Sequence, residues 1–200
     1  MADVHEAAQV AGRAPDSVKI IGVTKYVDVE VTRSLLNSGC MDLGESRPQS
    51  LWEKCEAIQQ VGLDSPPVRW HLIGHLQRNK VRRTLPLVHL IHSVDSKRLI
   101  DQIELDAVAL NGRVAILIEV NVTPDQNKTG VSIRDAEELV EYALLMKRIR
   151  VEGLMGMASL EGEADQASRD FATLPAEVLD KLRIEFYSEP SQAAFKALAE

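Results

Sequence analysis

Two kinds of segment alternate along almost the whole of this chain, and that alternation limits the folds open to it. Short stretches rich in β-branched residues, at 18–24, 88–94 and 114–122, read as buried strands, with weaker candidates at 41–45, 68–74 and 149–157. Helix-period stretches lie between them. One spans 29–38 and stops at Gly39, another runs from 96 to 110 and ends at Asn111-Gly112, and a third covers 135–146. A further helix is predicted over 165–182, kinked or broken by Pro175, and a short leading helix over 4–11. Strict β-α order with nearly continuous apolar strands implies a parallel sheet covered by helices.

Two architectures satisfy that order, the doubly wound sheet and the (β/α)₈ barrel. Dinucleotide-binding versions of the first carry a Gly-rich turn after the first strand, and Val23-Thr24-Lys25-Tyr26-Val27-Asp28 has none. Polar or reactive residues recur instead where strands end: Lys25, Glu45, His75, Ser93, Asn121 and Ser159. Barrel active sites gather at that end, so the predicted class is α/β of the TIM-barrel type. The count is short, however. A closed barrel takes eight strands and about 250 residues, whereas this 200-residue chain offers six β-α units, and the stretch from Phe186 to Lys196 offers no strand.

Composition narrows the function classes. A net charge of −7 opposes binding to nucleic-acid backbones or anionic membranes. No uncharged apolar run reaches the roughly 18 residues of a membrane span, and the first residues are too polar for a signal peptide. The cysteines, Cys40 and Cys55, form no C-x-x-C motif, and two free thiols in a reducing cytoplasm are expected.

Lys25 closes the first apolar strand, where partial desolvation favours the neutral amine that attacks aldehydes. The same position also suits a lysine that simply snorkels to solvent. His71 and His75, four apart, suggest a metal pair only on a helix; in a strand they share a face but stand too far apart to chelate one ion. The basic run from Gln77 to Arg83 opens a helix and reads as a phosphate contact or as a solvated helix face. Asp95 and Glu119 are candidate acid/base groups at strand ends.

Several blocks then carry a resemblance. They are Gly22-Val23-Thr24-Lys25, Asp42-Leu43-Gly44-Glu45-Ser46, Trp70 to Lys80, Ile91 to Ser96, Glu119 to Val122 with Lys128-Thr129-Gly130, and Gly153 to Ala158. In this order they resemble the pyridoxal phosphate homeostasis proteins, from about Ala7 to Leu182. The resemblance implies a single barrel domain of the alanine racemase type spanning 1–200, with pyridoxal 5′-phosphate (PLP) as a Schiff base on Lys25. Ser46, His75, Asn121 and Met155 are the expected cofactor neighbours, no metal is expected, and the implied role is PLP buffering or delivery rather than catalysis. It further implies a cytoplasmic monomer, with PLP-dependent apoenzymes as its macromolecular partners. A racemase is the alternative, but such chemistry needs a second acid/base from another domain. Ser46 stands where the family commonly has asparagine, and the family's closing Ser-Met-Gly-Met-Ser and Arg-Ile-Gly segments have no counterpart here. A truncated or frameshifted reading frame would account for this, and an inactive fragment is a further reading. Two missing strands would leave the first and sixth strands with open edges, so weak cofactor retention and poor solubility are expected.

Overall fold

The computed structural model describes residues 2–10, 12–14, 19–59, 68–110, 112–122, 129–157 and 183–187. A helix, α1 (Ala2–Val10), leads into β1 (Gly22–Val23), α2 (Val29–Asn37), β2 (Asp42–Glu45), α3 (Pro48–Gln59) and β3 (Arg69–Leu72). A one-turn helix α4 (Val81–Thr84), flanked by 3₁₀ turns, then precedes β4 (Leu90–Val94) and α5 (Lys97–Asp106). The central strand β5 (Val114–Asn121) is followed by the short β6 (Val131–Ser132), α6 (Ile133–Leu144), β7 (Ile149–Met157) and β8 (Arg183–Tyr187).

Strand order decides between the two architectures. A doubly wound sheet reverses direction at a switch point. Here the order is β1-β2-β3-β4-β5-β7-β8, every pair is parallel, and β6 is a two-residue branch on β5. A sheet wound in one direction is the path of a TIM-type barrel, as the sequence predicts.

Local chemistry sets the element ends. Asp28 caps α2 by accepting the Val31 N–H at 2.9 Å, and Ser132 caps α6 by accepting the Asp135 N–H at 3.2 Å. Past the end of α2, Gly39 adopts φ 91°, a conformation that costs glycine little. Leu43, Trp70, Leu72, Ile91, Ile116 and Ile118 pack against Leu36, Leu51, Ile58, Ile100, Ile103, Leu139 and Val140 of the helices. Each such buried side chain contributes about 1.5–3 kcal/mol of transfer free energy. Alternation along the strands sends Asp42, Gly44, His71, His92, Leu117 and Glu119 to the opposite, inner face.

Three expectations need correction. The first strand covers Gly22–Val23 alone, because residues 19–21 lie outside the ladder. The basic run opens a helix as expected, though a short one: a 3₁₀ turn over Arg78–Lys80 leads into the single turn of α4. The tail does contain a strand: β8 pairs with β7 from Gly153↔Arg183 to Met157↔Tyr187. The sixth strand therefore has no open edge on that side, which removes one ground for poor solubility. The predicted helix over 165–182, with Pro175, and Ser159 lie outside the described residues.

Gly74, just past β3, is a steric requirement of the fold. A Cβ there would stand 2.3 Å from the Ser46 carbonyl oxygen, whereas one on Gly112 would meet nothing within 4 Å. Gly74→Ala is therefore expected to lower unfolding free energy by about 1–3 kcal/mol in urea titration. Gly112→Ala is expected to stay within about 0.5 kcal/mol of the parent.

Candidate functional site

Because all strands run in parallel, their C-terminal ends form one rim, where barrels bind ligands. Lys25 stands on that rim. The Thr24 N–H donates to the Gly44 carbonyl at 2.8 Å, prolonging the β1–β2 ladder by one residue. The Thr24 carbonyl then accepts the Val27 N–H at 3.1 Å, closing a tight turn with Lys25 at its second position. The Lys25 side chain is exposed, with its ammonium 4.8 Å from the Tyr26 ring centroid. Partial desolvation of this amine, expected from the sequence, is not what the fold provides: the strand ends before Lys25, and the turn carries it into solvent.

Beneath the turn lies a buried ion pair. Lys54 of α3 donates from Nζ to the Thr24 carbonyl and to Glu45 Oε2, each at 2.6 Å. The Thr24 hydroxyl donates to the same Glu45 oxygen at 3.2 Å, and Glu45 Oε1 accepts the Ser46 N–H at 3.0 Å. The side chains of Lys54 and Glu45 are 8% and 1% exposed, so their charges must satisfy each other. The sequence reading placed Glu45 at a strand end but missed Lys54. A signal was present: Leu51, Cys55 and Ile58 form the apolar stripe of α3, and Lys54 interrupts it.

The inner face holds a second polar string. Arg69 forms a two-pronged ion pair with Asp42, His71 Nε2 lies 3.1 Å from Asp42 Oδ1, and His71 Nδ1 lies 2.9 Å from His92 Nε2. One proton arrangement satisfies both contacts with neutral rings: His92 Nε2–H donates to His71 Nδ1, and His71 Nε2–H donates to Asp42. Burial lowers the His71 pKa, and the attraction of Asp42 offsets this only in part. Burial, helped by His71, pushes His92 down to about 3. Burial alone would raise Asp42, but the hydrogen bonds and charges of Arg69 and His71 outweigh it and hold the carboxyl at about 2. The two histidines expected to share a strand face are separated: His71 is committed to this string, while His75 lies beyond β3 and is exposed.

The remaining candidates occupy the same rim. Ser46 and His75 line one open cleft of about 560 Å³ with Arg47, Gln49, Gln77 and Lys80. Asn121 is the last residue of β5, and Met155 of β7 is buried beside Glu119 in the ladder. Glu119 accepts a hydrogen bond from the Thr129 hydroxyl. Burial raises its pKa, against the Thr129 bond, while Asp95 raises it further and His75 lowers it. The fold thus brings Lys25, Ser46, His75, Asn121 and Met155 to one edge, with Ser46 and His75 in one cleft.

Comparison with known proteins supplies a family. The model of the alanine racemase N-terminal domain matches residues 2–193. The pyridoxal phosphate homeostasis protein of Aquifex aeolicus is 40% identical over 152 residues, which are 76% of this chain and 64% of that protein. The Pseudomonas aeruginosa protein of the same name is 30% identical over 179 residues, 90% of this chain and 76% of its own. PipY of Synechococcus elongatus, solved with PLP bound, superposes with a TM-score of 0.78 at 27% identity, covering 98% of this chain and 94% of PipY. Alanine racemase of Clostridium difficile shares the fold, with a TM-score of 0.69 at 14% identity over 94% of this chain and 50% of its own.

The inner string gives a pH dependence. His92 falls to about 3 in the fold, whereas an unfolded histidine titrates near 6.5. Between those values the unfolded chain binds more protons, so stability falls as pH falls, by up to about 1.4 kcal/mol per pH unit for each such group. Asp42, lowered to about 2, adds a further loss once pH drops through the ordinary carboxylate range. Urea unfolding is expected to give a plateau above about pH 7 and a decline below about pH 6. His92→Gln is expected to flatten the decline, and equal slopes in both chains would contradict this assignment.

Proposed function

The chain belongs to the alanine racemase N-terminal domain family and, within it, to the pyridoxal phosphate homeostasis proteins, and from that membership we propose that it binds PLP through Lys25 and serves PLP homeostasis. The observation that carries the reading is the position of Lys25, on a fixed turn at the C-terminal rim of the first strand of a TIM-type path. Among the described residues its amine pairs with no carboxylate, which leaves it available to a carbonyl.

When bound, PLP supplies an aldehyde that condenses reversibly with a primary amine, together with a phosphate that draws N–H and O–H donors. The residues present suit that group. Lys25 brings the amine into solvent, where a free cofactor reaches it. Ser46 and His75 offer hydrogen-bond donors from the neighbouring cleft. Asn121 and Met155 flank the rim on β5 and β7, and Glu119 beside them holds a carboxyl whose pKa burial raises.

We read the protein as a carrier rather than an enzyme, with PLP-dependent apoenzymes as recipients. The names of its relatives support this, whereas the likeness to alanine racemase extends to the fold alone. Cys40 and Cys55 are unbonded, and burial with the neighbouring Glu56 charge pushes the Cys55 thiol up to about 12. That suits a reducing compartment, the cytoplasm in our reading. No described helix is long and apolar enough to cross a membrane.

The test is borohydride reduction of the chain with PLP, followed by peptide mapping. Label concentrated on Lys25, with loss of the near-ultraviolet absorbance in Lys25→Ala, is the expected result. Label scattered over surface lysines would overturn the reading. An enzyme would be indicated instead by amino-acid racemisation that disappears in Lys25→Ala.

A further inference from the structure

We propose that Lys54 and Glu45 are positioning residues for Lys25, acting through the Thr24 carbonyl; this rests on the reading of Lys25 as the PLP-bearing lysine. The Lys54 ammonium is buried beneath the rim and not open to solvent there. It sits within the apolar stripe of α3 and spends its hydrogen bonds on one backbone oxygen and one carboxylate. The backbone oxygen belongs to the residue before Lys25 and is also the acceptor that closes the turn. A charge-assisted contact of 2.6 Å on that oxygen fixes the orientation of the Thr24–Lys25 peptide plane, from which the Lys25 side chain departs.

Glu45 completes the device from β2. Its two oxygens hold the Thr24 hydroxyl, the Lys54 ammonium and the Ser46 N–H. One buried carboxylate therefore ties the end of β1, the end of β2 and α3 to a common point. Ser46, the next residue, lines the cleft that also holds His75. The pair sets the relation between the lysine and its neighbouring donors, and neither member touches the cofactor in this account. Lys25 itself is exposed, with an aromatic ring beneath its ammonium. Its backbone is thus the part of the residue that buried structure holds.

Lys54→Met alone leaves Glu45 as a buried, unpaired charge and endangers folding. The informative variant is therefore the double Glu45→Gln/Lys54→Met, which removes both charges and keeps a side-chain carbonyl for the Ser46 N–H, while the Thr24 hydroxyl keeps the Gly44 carbonyl, 3.3 Å away, as its acceptor. Three quantities are measured on the full chain: the urea midpoint, hydrogen exchange of the amides from Lys25 to Val27, and the rate at which borohydride with PLP labels Lys25. The proposal expects a midpoint close to the parent's, faster exchange confined to that turn, and Lys25 labelling slowed between about tenfold and a hundredfold. Unchanged exchange and labelling in a folded double variant would overturn it. So would a labelling loss that merely follows global unfolding. If the parent chain is not labelled at Lys25, the cofactor reading fails separately, while hydrogen exchange still decides whether the pair holds the turn.

Discussion

The Lys54–Glu45 ion pair is the constraint around which the rim of this protein is arranged. A buried lysine and a buried carboxylate each carry a large desolvation cost, and only full pairing offsets it. Here the pairing extends to a backbone oxygen, a hydroxyl and a backbone N–H, so that three neighbouring polar groups are satisfied together with the pair. The consequence is geometric more than energetic. Three separate elements, the ends of β1 and β2 and the body of α3, meet at one polar node inside an apolar layer.

A parallel sheet wound in one direction gives that node its functional meaning. Parallel pairing collects every strand end on one rim, and alternation assigns the two faces different work. The helix-facing side chains form the apolar core. The inner face instead carries Arg69, Asp42, His71 and His92 in sequence, with the two histidines neutral and the carboxylate charged. That string lies toward the strand starts, away from the rim, and its effect is on stability against pH. Lys25 and its neighbours are left to meet a ligand.

Much of this was legible in the sequence. Strand and helix order followed from periodicity, and the run at 114–122 matched β5, which is buried from Val114 to Val120. The rim positions of Lys25, Ser46, His75, Asn121 and Met155 followed from counting to strand ends. What failed did so for physical reasons. The first strand was read too long because Ile20 and Ile21 are β formers, yet pairing with β2 begins only at Gly22. The strand Arg183–Tyr187 was missed because a window opening at Phe186 cuts it in two and then runs into Pro190. Lys54 was overlooked because a lysine on a helix is ordinarily solvent-facing. Only its place within the Leu51, Cys55, Ile58 stripe marks it as buried. The exposure of Lys25 matches the solvent-facing alternative that the sequence left open, and choosing between the two depends on where the ladder ends, to within one residue.

The central claim is that a turn fixed from below presents Lys25 to PLP at the rim. A crystal structure of the full chain grown with PLP tests it most directly. Continuous density between Lys25 Nζ and the cofactor is expected, with Lys54 still bonded to the Thr24 carbonyl and to Glu45. Cofactor density on another lysine, or a Lys25 turn released from Lys54 when PLP is bound, would contradict it.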